Sequence, residues 1–417
     1  MKKKSGLGLW IATTVIAAVS CTSPKGGEAL TISVSWPGAK AAEVPVIISA
    51  DSIYKILPSF DPAACILLSG TDTVPFQLSD TNADGKTDQL LFLVSFNGAG
   101  SKDFSLTGNA SGTKSFRKRT QAVLSVKSGG AWKDKVYEGG TFTDVNSLRV
   151  PAEHSDHSGF IRFEGPGWES DLVAYRFYLD WRNATDIFGK ITDTMVLQRV
   201  GLEGLDSYHG LSTWGMDVFK VAESLGVGSI GMWADRKVNM VSVTDSLFCR
   251  IVLNGPLQSM VETRYNGWQA GGKKQTLVSR LSILAGSRLT CHDVSFEDPS
   301  TQLCTGLILN DSVSVVSNAD GTDPWVYFGT WGFQSLNRDS LGIAVLVHRD
   351  DLQEITADKL SHVLVFKPGH TNLRYYFAAA WEKEPGGIRS TADFEQYLRE
   401  QAVMLATHPV TILKLKN

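Results

Sequence analysis

Thr31-Ile32-Ser33-Val34-Ser35-Trp36 alternates polar and apolar side chains with a period of two, the pattern of a strand that buries one face. Outward from it, residues 44–48 and 90–94 are further β-rich runs, and clusters of Gly, Asn, Asp and Ser separate them at short intervals. Residues 30–125 therefore read as a small β-sandwich, with the polar stretch 111–119 as a boundary loop. Beyond residue 130 the expected strands lengthen and become more aromatic, at 174–181, 275–284, 288–296, 343–348, 362–366 and 373–381. Few helical stretches lie between them. That succession favours a large antiparallel β-sandwich over residues 130–417, and an all-β fold overall. One helix is expected after Ser390 or Thr391, where Phe394, Tyr397, Leu398, Ala402 and Leu405 recur with helical spacing before His408-Pro409.

The first 21 residues read as an address. Lys2, Lys3 and Lys4 precede an apolar run from 7 to 19, and Ala18-Val19-Ser20-Cys21 has the small-residue pattern of a cleavage site. The run is shorter than the roughly 20 residues a spanning helix needs. A lipoprotein signal peptide is the expectation, with Cys21 lipidated, a lipid anchor in the membrane and a place in the cell envelope at the outer membrane. Hydrophobic residues make up 43% and charged residues 20%, and the formal charge is −3, so nucleic acid has no electrostatic claim as a partner. Cys65, Cys249, Cys291 and Cys304 show no C-x-x-C spacing. They are either buried thiols or, for Cys291 with Cys304, a disulfide flanking a hairpin.

Residues 160–220 hold eleven Phe, Trp or Tyr among 61, against 40 in all 417, and fifteen charged residues besides. Flat apolar faces beside directional polar groups are what a sugar ring needs, whereas a plain β-core does not need the charges. The candidate substrate-binding residues are Trp168, Glu169, Asp171, Tyr178, Trp214 and Asp217, and the candidate catalytic residues are His209, Tyr208, Arg176 and Lys220. Asp80, Asn82, Asp84 and Asp88 have the D-x-N-x-D-G spacing of a calcium loop, but Leu91 stands where a helix–loop–helix site carries its twelfth-position Glu. Two readings stay open there, a structural calcium site and a hairpin turn built from Asn, Asp and Gly. His154-Ser155-Asp156-His157 is likewise either a ligand cluster or a short polar loop. No cofactor is required by any motif, and no nucleophile elbow, phosphate loop or dinucleotide fingerprint occurs.

Trp168-Glu169-Ser170-Asp171, Tyr175-Arg176, residues 186–190, Ser207-Tyr208-His209, and Trp214-Gly215-Met216-Asp217 with Lys220 resemble a family of exported bacterial lipoproteins from polysaccharide-utilising bacteria, catalogued as a domain of unknown function. The Asp-rich loop at 80–88 fits the same pattern. The resemblance implies a galactose-mutarotase-like supersandwich and, through members that look like dehydratases, elimination on uronic-acid-containing oligosaccharides. In that chemistry Arg176 or Lys220 would neutralise the sugar carboxylate, His209 would take the proton and Tyr208 would protonate the leaving oxygen. Trp168 and Trp214 would be stacking walls. A non-catalytic glycan-binding lipoprotein and an epimerase-type enzyme are the alternatives.

Overall fold

The computed structural model describes residues 28–416, so the expected signal peptide and its Cys21 lie outside the described residues. Half of the described residues are in strands and 8% in helices, and every sheet among them is antiparallel. The largest sheet has nine strands, in the spatial order Ser147–Arg149, Ser246–Asn254, Gln258–Ala270, Lys273–Leu284, Leu289–Phe296, Asn372–Trp381, Ser340–His348, Trp325–Phe333 and Ser314–Ser317. Against it packs a five-stranded sheet of Gly215–Asp217, Thr185–Lys190, Ala174–Phe177, Gly167–Ser170 and Thr120–Val123. A second five-stranded sheet, from Lys237–Met240 to Leu352–Ala357, extends the same core through Leu303, Leu307, Leu364 and Phe366.

The alternating run at residues 31–36 lies in the strand Ala29–Trp36. Leu30, Ile32, Val34 and Trp36 point into a separate small core with Val44, Val46, Ile48, Leu90, Phe92, Phe104 and Leu106. Each such side chain contributes about 1.5–3 kcal/mol by leaving water. The chain end returns to this unit, because Val410–Lys416 pairs along its length with Ala29–Trp36. The last strand of the segment expected to form the large sandwich thus completes the small one's sheet.

The Thr391–Ala406 helix starts where its cap predicts, with the Ser390 hydroxyl accepting from the Asp393 N–H. Phe394, Leu398 and Ala402 bury its apolar stripe against Trp331, Ala344 and Leu346, on the face of the nine-stranded sheet opposite the main core. A second, seven-residue helix, Ala50–Ile56, is capped by Ser49 and too short for periodicity to reveal. Among the described residues no helix is long and apolar enough to cross a membrane. The disulfide reading does not hold: Cys291 and Cys304 stand in different sheets as free thiols, and Cys65 and Cys249 are free too.

Asp80, Asn82, Asp84 and Asp88 lie in the hairpin between Phe76–Ser79 and Gln89–Phe96. Their side chains accept backbone N–H groups of their own loop: Asp80 from Gly85 at 2.7 Å, Asn82 from Asp84 at 2.8 Å, Asp84 from Lys86 at 2.9 Å and Asp88 from Thr81 at 2.8 Å. This is turn chemistry, which Asx side chains perform wherever the backbone has no ladder partner.

Candidate active site

The five-stranded sheet carrying Ala174–Phe177 is buried on both faces, so its strands show no polar and apolar alternation. Its inner face sends Trp168, Tyr175, Phe177, Ile187 and Met216 into the main core. Its outer face presents Glu169, Ala174, Arg176, Asp186, Phe188, Lys190 and Asp217, as the pairings of Arg176 with Asp186 and of Phe188 with Asp217 require. Segment 191–214 lies over that outer face and packs Val196, Leu197, Val200 and Tyr208 on Phe163, Ala174 and Phe188. The approach is close at the edge. A β-carbon on Gly165 would fall 1.7 Å from the Phe177 carbonyl oxygen, so no other residue fits there.

Arg176 is the centre of the polar network. Its Nε and Nη2 donate to Asp186 Oδ2 at 3.0 and 2.7 Å, Nη2 donates to Asp217 Oδ2 at 2.6 Å, and Nη1 donates to the Tyr208 hydroxyl at 2.9 Å. The Tyr178 hydroxyl donates to the same Asp186 oxygen at 2.5 Å. The rings of Tyr178, Tyr208 and Phe188 stand 4.8, 5.1 and 5.2 Å from the guanidinium carbon. Burial works against the charge on Arg176, but Asp217 and Asp186 outweigh it and hold the guanidinium protonated. Two carboxylates then share one cation. Burial first, and Asp186 second, push Asp217 up to about 8, against the pull of Arg176.

The network reaches solvent through His209. Its Nε2 lies 3.5 Å from Asp217 Oδ2, while Nδ1 stands on the open side, 3.9 Å from the exposed Asp206, and 44% of the side chain is accessible. Burial first, then the Arg176 charge, lowers its pKa below the usual imidazole value, which leaves a neutral ring at pH 7.

A second charged group flanks the first. Arg182 Nη2 lies 2.9 Å from Asp156 and 3.0 Å from Glu164, and also bonds Asp180; its guanidinium stacks 3.6 Å from the Tyr178 ring centroid. His157 sits beside Asp156 at 2.9 Å and donates its backbone N–H to Glu164 at 2.7 Å. The carboxylate oxygens of Asp156 and Glu164 and a ring nitrogen of His157 lie within 4.8 Å of one another, but the guanidinium already occupies the position a metal would take. The donor set therefore fits Arg182, and no metal is invoked. His157, Phe163, Glu164 and Asn183 all have φ between 44° and 66°. These four of the ten left-handed non-glycine residues among the described residues frame one spot, which is where strained backbone concentrates when a site is over-determined.

Of the residues singled out from sequence, Arg176, Tyr178, Tyr208, His209 and Asp217 come together. The others do not. Trp168 is fully buried on the inner face and donates to the Thr290 hydroxyl at 2.8 Å, so it offers no stacking wall. Glu169 pairs with Lys190 at 2.8 Å and accepts the Val196 and Leu197 N–H groups, pinning the covering segment. Asp171 sits in the turn at the far end of the sheet, held by Arg119 at 2.8 Å and the Gly286 N–H at 2.6 Å. Lys220 is exposed and outside the network. Trp214 is half-buried, edge-on to Phe188. Tyr208 is 1% exposed with its phenol pKa raised by burial, so it positions Arg176 and does not meet a substrate.

Asp186, Arg182, Glu164 and the exposed Trp181 lie in the same aromatic and charged stretch, but residue type alone assigns them no site role. A signal existed for Asp186: it and Arg176 are equidistant from Trp181, the centre of the hairpin turn, which makes them cross-strand partners.

No curated protein sequence matches the chain. Among solved structures, an alpha-mannosidase from Enterococcus faecalis V583 is similar at 8% identity and TM-score 0.44, over 92% of this chain and 46% of that one. A protein in the glycosyl hydrolase family 38 from Enterococcus faecalis is similar at 7% identity and TM-score 0.43, over 92% and 47%. The chain thus spans about half the length of these neighbours. The family model described as "Domain of unknown function (DUF4861)" matches residues 37–412, and the chain belongs to that family.

Proposed function

We propose that this protein is a carbohydrate-active enzyme whose acid–base chemistry runs at His209, and that its reaction is elimination on uronic-acid-containing oligosaccharides. The observation that carries the reading is the series Arg176–Asp217–His209: a buried cation holds a carboxyl group, which lies 3.5 Å from an imidazole that opens to solvent. That is the orienter-and-base arrangement of proton transfer. His157, exposed and backed by Asp156, is near enough for its charge to act on His209, and it supplies the second proton-transfer group.

In the elimination, His209 Nδ1 takes the proton from the carbon next to the sugar carboxylate. The electron pair of that C–H bond becomes the C=C bond as the C–O bond at the neighbouring carbon breaks. The departing oxygen keeps its pair and is protonated by His157. Water as leaving group makes a dehydratase, and a sugar hydroxyl makes a lyase. Arg176 does not neutralise the substrate carboxylate, since its donors are already used by Asp186, Asp217 and Tyr208.

A glycan-binding protein is the second reading, favoured by Trp181, 47% exposed on the turn that Arg182 and Asp180 brace. The test is incubation of the purified protein with uronate oligosaccharides while following ultraviolet absorbance of an unsaturated product. Product formed by the native chain and lost in His209→Ala supports the enzyme. Tight binding with no product selects the second reading.

A further inference from the structure

The hairpin of Ser125–Lys133 and Val136–Asp144 stands beside the site, and between it and the covering segment lies a hollow of about 370 Å³. Lys127, Thr141 and Phe142 line one wall, and Leu202, Glu203 and Gly204 the other. We infer that this hollow is a second saccharide subsite, which holds an acidic sugar unit next to the reacting one and uses Lys127 as its charge anchor. The inference rests on the saccharide reading above and extends it from one sugar to an oligosaccharide.

Both walls run directly into the site. On the hairpin side, the Lys127 N–H donates to the Phe160 carbonyl at 2.9 Å and the Tyr137 N–H to the Ser158 carbonyl at 2.7 Å, which ties the hairpin to the loop bearing His157. On the other side, Gly204 caps the short 3-10 turn Leu205–Tyr208, and His209 follows it. The wall chemistry matches a sugar. Phe142 gives an apolar face, Glu203 an acceptor and Lys127 a donor.

Lys127 is half-buried, with its amine 5.4 Å from the Phe142 ring centroid and 3.8 Å from where a β-carbon on Gly159 would sit. Among the described residues its amine has no hydrogen-bond or ion-pair partner, and neither has the Glu203 carboxylate on the opposite wall. The Lys127 stem is packed against Phe142, so its charge is held in place, whereas Glu203 is exposed and screened by solvent. An anionic unit therefore gains more at Lys127 than it loses at Glu203. Neither Arg176 nor Lys220 is placed to meet such a charge, so Lys127 supplies the cation for the carboxylate of that neighbouring unit.

The experiment is calorimetric titration of the native chain, Lys127→Gln and Phe142→Ala with galacturonate, glucuronate and mannuronate oligomers of one to four units, and with their methyl esters. The native protein should bind the longer acids at least about tenfold tighter than the single unit, the size of one charge-assisted contact plus a stacked face. Lys127→Gln should remove that gain for the acids and leave the esters unchanged, and Phe142→Ala should reduce it for both. Thermal melts identify a variant that has failed to fold. Native binding with the same length dependence in both variants overturns the subsite alone. If the native chain binds no uronate of any length, the saccharide reading falls, and this inference with it.

Discussion

Two buried charge clusters lie on the same face of the same sheet, under the same covering segment, and only one of them is connected to solvent. At one end Glu169 and Lys190 have no exposed side-chain surface, and each is bonded again to backbone: Glu169 to the Val196 and Leu197 N–H groups, Lys190 to the Ser170 carbonyl at 2.6 Å. At the other end Arg176, Asp186 and Asp217 are as deeply buried, but His209 carries the network out to the surface. Burying charge is costly in both places. At the closed end the cost secures the position of segment 191–214, and at the open end it sets the proton affinity of a reachable imidazole.

The largest effect that would break this contrast is at the closed end. Glu169→Ala leaves the Lys190 ammonium buried without its partner, and should destabilise the protein by about 3–5 kcal/mol in denaturant unfolding. Replacing both partners with Met should recover only the part of that loss that comes from the unpaired ammonium, since the Val196 and Leu197 N–H groups would still lack their acceptor. A double variant as stable as the native chain would mean that the backbone contacts of Glu169 do not hold the segment.

The open end should respond the other way. His209→Ala should lower the rate about 10² to 10⁴-fold, the size of a lost general base, with a stability change of no more than about 1 kcal/mol because the ring is half in solvent. Loss of stability in step with loss of rate would make His209 a structural residue like Glu169.

Asp217 sharpens the comparison through pH. Its folded pKa, about 8, is above the ordinary carboxylate value, so its share of stability is fully present below the unfolded value and is lost as pH rises through about 8. Unfolding free energy measured from pH 4 to 9 should therefore fall more steeply with rising pH in the native chain than in Asp217→Asn, which has no proton to lose. The lowered pKa of His209 has the opposite sense for activity: the neutral base persists to more acidic pH than a free imidazole, so the acid limb of the rate profile should lie below pH 6.5.

How much of this was legible in the sequence differs between the two clusters for a physical reason. Period-two alternation revealed Ala29–Trp36, and an N-cap with helical spacing revealed Thr391–Ala406, because each element has one buried and one wetter face. The site sheet is buried on both faces, so nothing in its hydrophobicity says which side is outer. Trp168 and Glu169 were grouped as neighbours in a motif, yet strand geometry sends them to opposite faces, one into the main core and the other under segment 191–214. Residue type picked out Arg176, Tyr208, His209 and Asp217. Register, which sequence does not print, was needed to add Asp186, and the fold of two loops was needed to bring Arg182 to Asp156 and Glu164.

The smallest expected effect tests where the open cluster ends. Lys220 lies three residues beyond Asp217, a spacing that would join the two on a helical turn, but Gly215–Asp217 is a strand and the chain leaves it with Lys220 facing solvent. An exposed lysine outside any ion pair contributes within about 0.5 kcal/mol to stability. Lys220→Ala should therefore match the native chain in unfolding midpoint, in turnover and in the affinity of acidic oligosaccharides, all measured beside Lys127→Gln. A loss of acidic-sugar affinity in Lys220→Ala comparable to that in Lys127→Gln would move the anionic end of the substrate out of the hollow and toward Lys220. The boundary between the two clusters would then have to be redrawn around the strand end at Asp217.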